Sequence, residues 1–125
     1  MDQLSLFPEI DDKEIRRTVA RELKRYKAFK VAVQNKSEQE EKGLEHLFPV
    51  LNCQHSEKEL KVQQIERALE YALDETEREI IQRKYLSNAR VKDITVYLDM
   101  ELTKDQYYKH KGEAISLIAT ALGII

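Results

Sequence analysis

The chain has 125 residues, of which 35% are charged; three are glycine, two proline and none tryptophan, and the formal net charge is −2. That is one domain's length with a helix-favouring composition, no apolar run near the ~20 residues a membrane span needs, and no overall basic excess of the kind that by itself marks a nucleic-acid binder. The single cysteine, Cys53, allows no intrachain disulfide and suits a reducing, cytoplasmic compartment, and with His46, His55 and His110 it offers no recognised zinc spacing.

Charge is segregated along the chain. Residues 13–30 carry eight Lys/Arg against two acids, net +6; residues 36–80 carry six against twelve, net −6; residues 81–125 carry seven against five, net +2. A basic face can therefore coexist with an acidic total.

Residues 1–10 read as extended, because Pro8 disfavours helix in the residue before it; Leu4, Leu6 and Phe7 form an apolar group able to dock on the body. The segment is too acidic and too short of apolar length for a secretory signal. Asp11 or Asp12 caps a helix over residues 13–30, with the stripe Ile15, Val19, Leu23, Tyr26 and Val33 at helical spacing. Arg17, Arg21, Lys24 and Arg25 fall on its other faces, a second basic surface that suits either solvent or phosphate. Residues 1–35 are thus expected to be a basic amphipathic helix or arm.

Residues 36–55 read as a connector, since Gly43 and Pro49 argue against one continuous helix; a short helical turn is expected near 44–48. Residues 56–125 read as a compact helical unit. Ser56 with Glu59 forms a capping box for a helix over 57–73, buried through Leu60, Ile65, Ala68, Leu69, Ala72 and Leu73. Asp74 with Glu77, or Thr76 with Glu79, caps the next helix, 75–86, which packs through Ile80, Ile81, Tyr85 and Leu86. After a loop at 87–90, Val91, Ile94, Tyr97 and Leu98 line one face of a short helix. Asp99-Met100-Glu101-Leu102 then separates it from a second helix, about 103–122, opened by the capping box Thr103/Gln106 and buried through Tyr107, Ala114, Leu117, Ile118, Ala121 and Leu122.

Two short amphipathic helices with so brief a break predict a helix-turn-helix, whose second helix enters a DNA major groove. The first turns of that helix are polar. Lys104, Gln106, Tyr108 and Lys109 are the expected DNA-reading set, with Asp105 and Lys111 beside them and Arg90 and Lys92 in the preceding loop. Lysine suits phosphate or guanine, glutamine can pair with adenine, and tyrosine can reach the backbone.

The residues LDETEREIIQRKYL and VKDITVYLDMELTKDQYYKHKGEAISLIATALGI resemble the region-4 helix-turn-helix of sigma factors, and more closely the autolysin-regulatory-protein (ArpU) family of phage transcriptional regulators. The family's features matched here are the double tyrosine Tyr107-Tyr108, the following Lys109, the small residue Ala114 and the apolar tail to Gly123; the opening FPEIDDKEIRRTVARELKRYKAFK is similar to the family's start. The resemblance covers about two-thirds of the chain. Departures are Glu101, where a turn glycine is usual, Gly112 inside the recognition helix, and His110 at a commonly apolar position.

The fold expected is therefore all-α, a sigma region 4-like helix-turn-helix domain preceded by a long basic amino-terminal helix. The resemblance implies control of phage or prophage late genes in the cytoplasm of a bacterial host. The expected partners are double-stranded promoter or operator DNA, RNA polymerase, and a second copy meeting through the stripe from Ile15 to Val33; no membrane, cofactor, metal or catalytic residue is expected. The competing reading is a helical adaptor that binds RNA polymerase or a packaging protein without reading DNA.

Overall fold

The computed structural model describes residues 11–52 and 54–125; the apolar group Leu4, Leu6 and Phe7 and the thiol of Cys53 lie outside the described residues. Among the described residues five α-helices follow one another: α1 (Asp12–Glu41), α2 (His55–Tyr71), α3 (Glu75–Ile81), α4 (Asp93–Asp99) and α5 (Lys104–Ala121). A π-helical turn, Gln82–Leu86, continues α3. Among the described residues there is no strand, and no helix is long and apolar enough to cross a membrane.

The Asp11 carboxylate caps α1 by accepting the backbone N–H of Lys13 at 3.0 Å. The helix runs on to Glu41, past the end expected near residue 30 and into the expected connector. Residues 31–41 contain neither glycine nor proline and are rich in Glu and Gln, so propensity carries the helix further. Gly43 ends it rather than forbidding it. At φ +68 it closes a Schellman motif, with Leu44 N–H donating to the Gln39 carbonyl at 2.9 Å and Gly43 N–H to that of Glu40 at 3.2 Å. Residues 42–52 are irregular turns and bends, with no helix at 44–48.

The second capping expectation fails. α2 begins at His55, so Ser56 lies inside its first turn; Gln54 makes no side-chain cap, and Glu59 pairs with His55 Nε2 at 3.2 Å. The far end of α2 is held from outside. The Arg78 guanidinium of α3 donates to the carbonyls of Leu69, Glu70 and Leu73 at 2.8, 2.7 and 3.1 Å, satisfying orphan acceptors of that terminus. Of the two alternatives for α3, the Asp74/Glu77 box forms, both bonds at 2.8 Å.

α1 and α2 pack antiparallel. Tyr26 donates to Glu66 at 2.9 Å, Lys30 pairs with Glu66 at 3.1 Å, and Lys61 with Glu22 at 3.5 Å. Val19, Leu23 and Tyr26 of α1 meet Val62, Ile65, Leu69 and Leu73, Ile81 of α3, and Ala114, Ile115, Ile118 and Ala119 of α5 in the main core. The amino-terminal helix is therefore a wall of this core. Its stripe is consumed within the chain, and the expected dimer seam along it is withdrawn, because Val19 and Leu23 are fully buried.

A second, smaller core joins Ile80, Val96 and Tyr107, with Val91, Tyr97, Met100 and Leu102 packed around them. α5 spans both cores: Tyr107 sits in the smaller, and residues from Ala114 onward in the larger. Several expected faces shift. In α2 Val62 is buried and Leu60 exposed; in α4 Val96 is buried while Ile94 and Leu98 are exposed; in α5 Ile115 and Ala119 replace Leu117 and Ala121.

Candidate nucleic-acid interface

The rotation of α4 follows from its first residue. Buried Val96 and half-buried Asp93, Tyr97 and Met100 stand at i+3, i, i+4 and i+7, one helical face led by a carboxylate. Asp93 accepts a hydrogen bond from the Tyr107 hydroxyl at 2.5 Å and another from the Lys111 ammonium at 3.0 Å, with Lys84 at 3.8 Å. Burial pushes the Asp93 carboxyl up, but the bonds from Tyr107 and Lys111 and the charges of Lys111 and Lys84 outweigh it and hold it below the usual carboxylate range. Burial, and then the Asp93 carboxylate, push the Tyr107 hydroxyl far above the tyrosine range, so it remains the donor.

Lys111 is enclosed. Its ammonium lies 5.7, 5.8 and 5.7 Å from the ring centres of Tyr85, Tyr107 and Tyr108, and its side chain is 12% exposed. Burial raises the Tyr85 hydroxyl pKa, which the Lys111 charge partly opposes. Lys84, from the π turn, donates to the Val91 carbonyl at 2.7 Å, and Lys27 of α1 donates to that of Ser87 at 2.8 Å. The loop between α3 and α4 is thus tied down at both ends, which fixes the amino terminus of α4 against the middle of α5.

The turn between α4 and α5 uses a left-handed residue that is not glycine. Glu101 takes φ +57, and Leu102 N–H donates to the Tyr97 carbonyl at 2.9 Å while Glu101 N–H donates to that of Leu98 at 3.2 Å, a second Schellman motif. The expected capping box then starts α5, Gln106 N–H donating to Thr103 Oγ1 at 3.1 Å and Thr103 N–H to Gln106 Oε1 at 3.0 Å.

Of the residues singled out from the sequence, Lys104, Asp105, Gln106, Tyr108 and Lys109 are exposed on the amino-terminal half of α5, and Arg90 and Lys92 are exposed just before α4. Tyr107 is fully buried, as its place on the stripe implied. Lys111 does not join the exposed set, because Asp93 and the tyrosines hold it inside. Gln106 is exposed but half committed, since its carbonyl serves the cap and only its NH2 is left to donate outward. Nδ1 of half-buried His110 has no hydrogen-bond partner.

Arg17, Arg21, Lys24 and Arg25 stand exposed along one outer stripe of α1, away from Val19, Leu23 and Tyr26. None of them lines the groove between α1 and α5. Arg16 does: with Asp12 and Ile15 it lines a groove of about 430 Å³ whose other side is Tyr108, Lys109, Gly112, Glu113, Ile115 and Ser116. A residue next in sequence to the outer stripe is thus turned towards α5, and only the packing of the first two turns of α1 on α5 reveals it. Gly112 has an ordinary helical φ, and a Cβ added there would meet nothing within 4 Å.

No protein-family model matches this chain, and neither a curated protein nor a solved structure matches it.

Proposed function

We propose that the chain is a sequence-specific DNA-binding transcriptional regulator in which α4 and α5 form a helix-turn-helix of the sigma region 4 kind. The amino-terminal half of α5 enters the major groove, and the genes controlled are phage or prophage late genes, as the ArpU resemblance implies. One observation carries the reading. α5 is locked on its inner side by Asp93, Tyr107 and Lys111, while Lys104, Gln106, Tyr108 and Lys109 stand exposed on its first turns, a rigid helix presenting polar side chains outward. Lys109 and Lys104 serve phosphates, and Gln106 offers an amide donor to a base edge. Arg90 and Lys92 extend the same basic surface next to Asp93.

The adaptor reading keeps one observation in its favour. Leu44, Leu47, Phe48, Val50 and Leu51 of the connector are all more than half exposed, an apolar patch that DNA reading does not use. Selection from a randomised duplex pool, followed by gel shift of the enriched sequence across a salt series, separates the two. The regulator enriches one motif and loses affinity steeply as salt rises; an adaptor enriches none at any salt.

A further inference from the structure

We infer that the outer face of α1 pairs antiparallel with the same face of a second copy of this chain, forming a two-fold dimer. Among the described residues the face is continuous and unpartnered. Arg17, Arg21, Lys24, Arg25, Ala28, Val31, Asn35 and Glu38 recur at intervals of three or four residues, apart from the adjacent Lys24 and Arg25, and every one is exposed, Val31 by 54%. Basic residues fill its amino-terminal half, and an acid ends the other half, followed by Glu40, Glu41 and Glu45. Arg17, Arg21 and Lys24 have no ion-pair partner among the described residues, and Arg25 reaches Glu22 only at 3.9 Å.

Such a face is self-complementary in one orientation. With Ala28 on the two-fold axis, Arg25 meets Val31 of the second copy, Arg21 meets its Asn35, and Arg17 lies beside its Glu38. A parallel pairing would set the basic halves against each other. Ala28 at the crossing point has a side chain small enough for close approach of the two backbones, and the stems of Arg25 cover Val31 from both sides. The arrangement supplies the self-association that the buried stripe cannot. It also has a consequence that rests on the DNA reading: Arg16, beside Lys109, stands twelve residues from Ala28. At ~1.5 Å per residue the two Arg16 levels are then about 36 Å apart, near the ~34–36 Å that separates adjacent half-sites.

Sedimentation of the full-length protein tests the pairing without DNA, so its failure and that of the DNA reading are distinct. The expected result is a dimer whose dissociation constant rises about tenfold or more between low and high salt. Val31→Asp is expected to give a monomer with unchanged helical content, because the position is exposed. Arg17→Glu and Glu38→Arg are each expected to weaken the dimer, and together to restore it. In a Cys53→Ser background, Ala28→Cys is expected to cross-link the two copies under mild oxidation. A monomer at every concentration, or a dimer indifferent to Val31→Asp and to the charge swap, overturns the inference. So does loss of DNA affinity in Arg17→Glu with unchanged sedimentation, which would make the stripe a phosphate contact instead.

Discussion

Replacing Asp93 by alanine removes the one acceptor shared by Tyr107 and Lys111, and the structure sets the size of the effect. The Tyr107 hydroxyl, in a residue with no exposed surface, loses its bond at 2.5 Å, which costs about 1–3 kcal/mol for a buried donor left unmade. The Lys111 ammonium loses its partner at 3.0 Å; breaking a fully buried pair costs roughly 3–5 kcal/mol. Asp93 is 26% exposed, so water replaces part of the loss, and Lys111 keeps its three ring contacts. Those discounts bring the expected total to about 3 kcal/mol. A domain of this size commonly has ~5–15 kcal/mol in all, so the variant folds but melts roughly 10 °C lower. Asp93→Asn, which keeps an acceptor for Tyr107 but no charge, is expected to lose about half as much. The double variant Asp93→Ala/Lys111→Met should fall short of the sum of the singles by at least ~1 kcal/mol. The carboxyl is held below its ordinary range in the folded state, so its contribution is complete above the unfolded pKa of ~3.9 and is lost as pH falls through the lower folded value. The gap between wild type and Asp93→Ala in urea or thermal melts should therefore stay constant from neutral pH down to about 5 and close only in stronger acid. A gap below ~0.5 kcal/mol at neutral pH would refute the idea that this carboxylate locks α4 to α5.

Three further outcomes follow from individual positions. Glu101→Gly relieves a left-handed conformation that disfavours a side chain by ~1–2 kcal/mol, less the entropy glycine loses on folding, and should raise stability by up to about 1 kcal/mol in denaturant titrations. Gly112→Ala should stabilise α5 by about 1 kcal/mol, since the added methyl meets nothing; a simultaneous loss of affinity for the selected duplex would mark the groove beside Arg16 as a place of close DNA approach. Gln106→Glu keeps a side-chain oxygen acceptor for the capping box and removes the outward NH2, so melting should be preserved while affinity for the selected site falls by ~1–3 kcal/mol; unchanged base preference would take Gln106 out of the reading set.

The local syntax of this chain is legible in its sequence. Asp11, Asp74 with Glu77, and Thr103 with Gln106 cap helices as their side-chain chemistry requires, and Val19, Leu23 and Tyr26 of the α1 stripe, Tyr107 and Ile118 are buried where helical periodicity put them. A cap is settled by residues three apart, so the sequence contains everything needed to decide it. Ser56 shows the limit, because where α2 starts depends on how the chain arrives from the connector, and a start at His55 leaves that serine inside the helix.

What packing alone decided is the rotation of α4 and α5. Reading buried faces as apolar stripes selected Ile94, Leu98, Leu117 and Ala121, which point outward. The true faces each contain a charge, Asp93 in one and Lys111 in the other, and each offsets much of the cost of burying the other. Those partners are 18 residues apart in sequence. No window of local periodicity contains both, so the pair that fixes how α5 is presented could be recognised only after the two helices had been brought together.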